Sequence, residues 1–208
     1  MNDLENNYIT SAEETLLKDI SSTGAKGAAI VISQMLGEKI DVKFPEIVMM
    51  NLDSVIGDEI PRDKLTSLVF AKFHGDLNGT AALFFSNEST LDILHALYNR
   101  DVESLETLEE IDYSIIKEMG NIIIGSFLNA FCNRFNLMVL PTVPDVAVDS
   151  VDAITDSFSL MLYNDGKEKL ISVKAELIAS PNTEMIFGVM LLLFNSAEDL
   201  DALLKENE

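Results

Sequence analysis

The feature that most constrains this chain is that its order of elements runs through twice. A long helical segment, Thr10 to Leu36, leads into the strand-like KIDVKFPEIVMM, then LTSLVFAKFHG and LNGTAALFFS, then a short helix over Ser89 to Tyr98. The series restarts with a helical segment from Leu105 to Phe135. Strand-like LMVLPTVPDVAV, FSLMLY, KLISVKAELIA and MIFGVMLLLF follow, and SAEDLDALLKENE closes as a short helix. The spacing agrees as well: Pro45 follows Asp19 by 26 residues, and Pro144 follows Glu118 by 26. Self-similarity at a fixed offset implies two copies of one supersecondary unit. The expected fold is one α+β domain over residues 1–208, with pseudo-repeats at about 10–100 and 105–208. It has a largely antiparallel sheet and two long helices side by side on one face. Gly24 and Gly27 predict a break in the first helix.

Composition narrows the function. Apolar residues make up 48% of the 208, enough to bury a sizeable core. A formal net charge of -21 repels phosphate backbones and anionic membranes, so no nucleic acid and no membrane insertion are expected. The longest purely apolar run, Val189 to Phe194, is too short to span a bilayer. The opening MNDLENNYIT is polar and acidic, unlike a secretory signal. Cys132 is the lone cysteine, and His74 and His95 lack ligand spacing. A cytoplasmic protein with no metal site of its own is expected.

Chemistry concentrates in KEMGNIIIG, Lys117 to Gly125. On a helix of about 100° per residue, Ser114, Glu118, Asn121 and Gly125 fall within an arc of roughly 60°. Ile116, Met119, Ile123 and Phe127 fall on the opposite side and form the expected core face. A Glu and an Asn on an exposed helix face are most often plain solvated residues. Asn121, Gly120 and Gly125 are poor interior helix formers, however, and a stripe meant only for solubility would use Glu, Lys and Gln. A carboxylate can hold a partner's lysine. A carboxamide can orient a water molecule without titrating, as glutamine does in GTPases. The pair is no self-sufficient active site; it is suited to completing another protein's site.

The pattern Ser114-x3-Glu118-x2-Asn121-x22-Pro144 resembles the signature of the CheC family of chemotaxis phosphatases, which includes CheX and FliY. IKEMGNIIIGSFLNA and ISQMLGEKIDVKFPEI, with the doubled order, extend the resemblance over nearly the whole chain. It implies a protein that dephosphorylates the CheY-type response regulator. Asn121 would position the attacking water, and Glu118 would pair with the regulator's lysine. The Mg²⁺ would be supplied by the regulator, with no cofactor of the chain's own. Ser114 and Pro144 would be supporting motif positions. Pro144 serves equally well as an ordinary edge-strand proline.

The first half departs from the pattern. Its line reads Thr15-x3-Asp19-x2-Ser22-x22-Pro45. Asp19 is a methylene shorter than Glu, Ser22 has no carboxamide, and Lys26 adds bulk where Gly125 has none. A degenerate, inactive or much weaker first site is expected. The family also includes proteins that bind the receptor deamidase CheD, so CheD is a further candidate partner. The alternative function is a non-catalytic binding module for phospho-CheY or CheD. An unrelated α+β domain with a chance motif would bury the Glu118 helix on all sides.

Overall fold

The strand Gly79–Ser86 (β3) is buried from its first residue to its seventh. It is the centre of the sheet because its apolar residues face both ways. The computed structural model describes residues 11–37, 39–48, 62–164, 172–179 and 186–194. β3 pairs on one side with Leu65–Gly75 (β2) and on the other with Ile186–Phe194 (β7). Ser172–Ala179 (β6) pairs with β7, and Ile40–Val48 (β1) pairs with β6. The outer edge of β2 carries Val139–Pro141 (β4) at one end and Asp145–Ser150 (β5) at the other. Every pairing is antiparallel.

Period-two alternation gives the sheet two apolar faces. Val69, Ala71 and Phe73 of β2, with Ala81, Leu83 and Phe85 of β3, face one way. They are covered by Ser11–Leu36 (α1), Asn87–Tyr98 (α2) and Glu110–Phe135 (α3). Leu68, Ala82 and Phe84 face the other way and meet Val151, Ile154 and Phe158 of Val151–Asn164 (α4). Phe70 and Phe158 close that layer edge to face, centroids 5.7 Å apart. The result is the α+β architecture expected, with α1 and α3 side by side on one face. By length and composition α3 could cross a bilayer, but its apolar side is the one packed on the sheet.

Four local expectations are corrected. FSLMLY is helical, not a strand, and forms the second half of α4. Val151, Ile154 and Phe158 share the period of a helix, and a short apolar run read alone does not reveal it. Ser150 starts that helix by accepting the Ala153 N–H at 3.3 Å. α1 runs unbroken through Gly24 and Gly27. The segment from Leu105 is interrupted: a 3₁₀ turn covers Leu105–Thr107, and α3 begins at Glu110. Pro144 lies outside any strand, between β4 and β5. Pro45 does lie in a strand, where the β1–β6 register shifts between Lys43 and Glu46. Such an irregularity tolerates a residue without an N–H. Thr10, SAEDLDALLKENE and the ends of several strand segments lie outside the described residues.

Candidate functional site

What α3 buries decides what it shows. Ile115, Ile116, Met119, Ile123, Ile124, Phe127 and Leu128 all point into the core, including the four expected there. Gly120 lies on this side too. A Cβ at Gly120 would collide with the Val69 side chain, so glycine lets the helix settle onto β2. Gly120 therefore answers a packing need and does not belong to the polar stripe. The opposite arc carries Ser114, Glu118 and Asn121, all exposed, with Gly125 half-buried. A Cβ at Gly125 would meet nothing within 4 Å.

The three polar side chains differ in their bonding. Ser114 Oγ donates back to the Glu110 carbonyl at 3.0 Å, which satisfies it within its own helix. Glu118 and Asn121 have no hydrogen-bond or ion-pair partner among the described residues. One turn apart on the same arc, they present a carboxylate and a carboxamide to whatever docks there. On the flank of the stripe, Lys117 Nζ stands 3.9 Å from Asp145 Oδ1 at the start of β5. That contact places the β4–β5 loop, and Pro144 in it, beside the helix. Pro144 is buried, and Thr142 is pinned by its N–H to the Lys72 carbonyl at 2.8 Å.

The start of α3 is clamped. Arg100, just beyond the end of α2, donates through Nε to Asp112 Oδ1 at 2.9 Å and through Nη2 to Glu109 Oε2 at 2.8 Å. Asp112 is fully buried and also accepts the Glu109 N–H at 2.8 Å. The Arg100 guanidinium holds the Asp112 carboxyl below its ordinary value of 3.8, against the opposing pull of burial. Sequence reasoning missed this clamp and began the helix at Leu105. The Glu109-x-x-Asp112 spacing was the available signal for a helix start.

In the first half, Thr15, Asp19 and Lys26 are exposed and Ser22 is half-buried. Gly24 and Gly27 let α1 nest on α3. A Cβ at Gly24 would stand 3.1 Å from the Phe127 ring, and one at Gly27 would stand 2.9 Å from Ser126 Oγ. The two motif lines thus occupy neighbouring helices on one side of the sheet. His74 is exposed, and exposed His95 meets Asp101 at 2.8 Å. Burial pushes the half-buried Cys132 thiol up, which favours the protonated form over a nucleophilic thiolate. Among the described residues no group of three or more His, Cys, Asp and Glu is placed to hold a metal.

No protein-family profile matches the chain. Over 168 residues it is 26% identical to the CheY-P phosphatase CheC of Bacillus subtilis, covering 79% of this chain and 80% of that one. Its fold is similar to that of Thermotoga maritima FliY, with a TM-score of 0.69, 16% identity, and coverage of 96% of this chain and 99% of that one. A chain of the CheX–CheY–BeF3–Mg²⁺ complex from Borrelia burgdorferi is similar too, with a TM-score of 0.56, 15% identity, and coverage of 86% and 99%.

Proposed function

We propose that the chain is a member of the CheC/CheX/FliY family of chemotaxis proteins, which it resembles in sequence and fold, and that it hydrolyses the aspartyl phosphate of a CheY-type response regulator. The observation that carries this reading is the pair Glu118 and Asn121, both exposed and without a partner among the described residues, one turn apart on a helix seated by its other face. Asn121 accepts a hydrogen bond from a water molecule and orients it in line with the phosphoryl group. The water oxygen bonds to phosphorus, and the bond from phosphorus to the regulator's carboxylate breaks. The products are inorganic phosphate and a free aspartate. Nothing here requires a base on this chain, because positioning and charge stabilisation carry phosphoryl transfer. Glu118 pairs with the regulator's lysine and fixes the approach. The regulator's own Mg²⁺ offsets the charge on the phosphoryl oxygens. Such a substrate places the activity in the cytoplasm.

The reading extends to the repeat. Counted from either edge, the sheet runs β1-β6-β7-β3-β2-β5 or its reverse, and exchanging the halves leaves that order unchanged. This supports a duplication in which the halves trade their edge strands. On that basis Asp19 and Ser22 are the relics of a second site, with CheD a further candidate partner for the chain.

The test is the decay of a phosphorylated CheY-type receiver with Mg²⁺, with the native chain and with Asn121→Ala. The native chain accelerates decay, and the variant loses about 10²-fold in turnover while still binding the receiver. If neither chain accelerates decay of any receiver but the native chain binds them, the protein is a binding module.

A further inference from the structure

Two large aliphatic side chains stand exposed around the Glu118 and Asn121 stripe, and the fold holds each of them out. Ile111 is 51% exposed in the first turn of α3. At i, i+3 and i+7 it shares a face with Ser114 and Glu118. Its helix start is immobilised by the Arg100, Glu109 and Asp112 clamp. Val143 is 78% exposed in the loop between β4 and β5. Its neighbours on both sides are fixed. Thr142 exchanges hydrogen bonds with Lys72, N–H to carbonyl at 2.8 Å and Lys72 N–H to Thr142 Oγ1 at 3.2 Å. Pro144 is buried and restricts Val143 to extended backbone. Two residues on, Asp145 meets Lys117, the residue before Glu118.

Single exposed apolar residues are ordinary on a protein surface. These two are different because one lies on the helix that carries the polar pair and the other on a loop tied to that helix through Asp145 and Lys117, each with fixed neighbours. A recognition surface has this composition, with a few apolar anchors around a specific polar centre. We propose that Ile111 and Val143 are the docking contacts for the phosphorylated receiver, seating it on either side of Glu118 and Asn121. The occupant is the receiver because Ile111 shares the Glu118 face of α3 and the Val143 loop is tied to that helix through Asp145 and Lys117, so a protein that engages Glu118 and Asn121 approaches the surface on which both stand exposed. The inference rests on the function proposed above and assigns affinity and receiver choice to residues outside the motif. Loss of either contact then raises KM and leaves the chemistry at Asn121 intact.

The experiment uses the full chain with Ile111→Asp, Val143→Asp and the milder Val143→Ser, and Leu160→Asp as a control. Leu160 is 61% exposed on α4, across the sheet from the stripe. Two readouts are taken: steady-state dephosphorylation of the receiver, and binding of the receiver carrying beryllofluoride with Mg²⁺. The proposal expects KM and the dissociation constant to rise about tenfold or more for each Asp variant. The Val143→Ser change is smaller and in the same direction. The kcat value stays within about twofold, and Leu160→Asp behaves as native. Native turnover with unchanged KM in the Ile111 and Val143 variants overturns the docking proposal and leaves the phosphatase reading standing. Weakened binding in those variants, with no turnover by the native chain, keeps the docking surface and sinks the phosphatase. No binding and no turnover by the native chain overturns both.

Discussion

Arg100 and Asp112 meet as a two-pronged pair, Nε to Oδ1 at 2.9 Å and Nη2 to Oδ2 at 3.1 Å, with the carboxylate wholly buried and the guanidinium partly exposed. The pair joins the end of α2 to the start of α3, the helix that carries the candidate site. A buried carboxylate is tolerable here because Arg100 and the Glu109 N–H together occupy its oxygens.

Asp112→Ala should therefore destabilise the chain by about 1–3 kcal/mol, through lost buried hydrogen bonds and a lost cap. Thermal melting reads this as a fall of roughly 2–12 °C. The effect has a definite pH sign. In the folded chain the Asp112 carboxyl titrates below its ordinary 3.8, so the unfolded state takes up that proton first. The stabilisation is present above the ordinary carboxylate range and lost as pH falls through the lower folded value. The melting gap between native and variant should be steady above roughly pH 5 and shrink below 3.8. A gap that widens on acidification would contradict the clamp.

Gly120 and Gly125 look alike in sequence and should respond in opposite ways. Gly120→Ala puts a methyl group against stiff Val69 and should destabilise by about 1–3 kcal/mol. Gly125→Ala meets open space and should stabilise by roughly 0.5–1 kcal/mol through helix propensity. Urea unfolding of both variants checks the contrast.

Glu118→Ala should lower kcat/KM by about tenfold or more, because the receiver's lysine is left without its partner. Raising ionic strength should weaken native turnover more steeply than that of the variant, since an exposed pair is screened. Equal salt slopes would argue that Glu118 pairs with nothing charged.

The double change Asp19→Ala with Ser22→Ala should leave turnover within about twofold of native, the limit set by losing one of two independent sites. A loss comparable to that of Asn121→Ala would mean that the first-half line is catalytic after all.

Much is legible in the sequence alone. Helix and strand periodicity gave the α+β class, and the arc of Ser114, Glu118 and Asn121 opposite Ile116, Met119, Ile123 and Phe127 followed from 3.6 residues per turn. These features depend only on local geometry repeated along the chain. The failures came where a contact distant in sequence overrides local preference. Gly24 and Gly27 weaken an isolated helix, yet they let α1 approach Phe127 and Ser126 on a partner helix about a hundred residues away. FSLMLY could be strand or helix until the far face of the sheet supplied something for Ile154 and Phe158 to cover.

The sequence by itself determined which side chains share a face of α3, because helical pitch is a property of the backbone. Only the tertiary structure decided that Gly120 serves the core and Gly125 the surface, that Arg100 reaches Asp112, and that Asp145 stands beside Lys117. Those relationships depend on strand pairing and helix seating across long stretches of chain, and no local spacing encodes a distance between elements that meet only when the sheet forms.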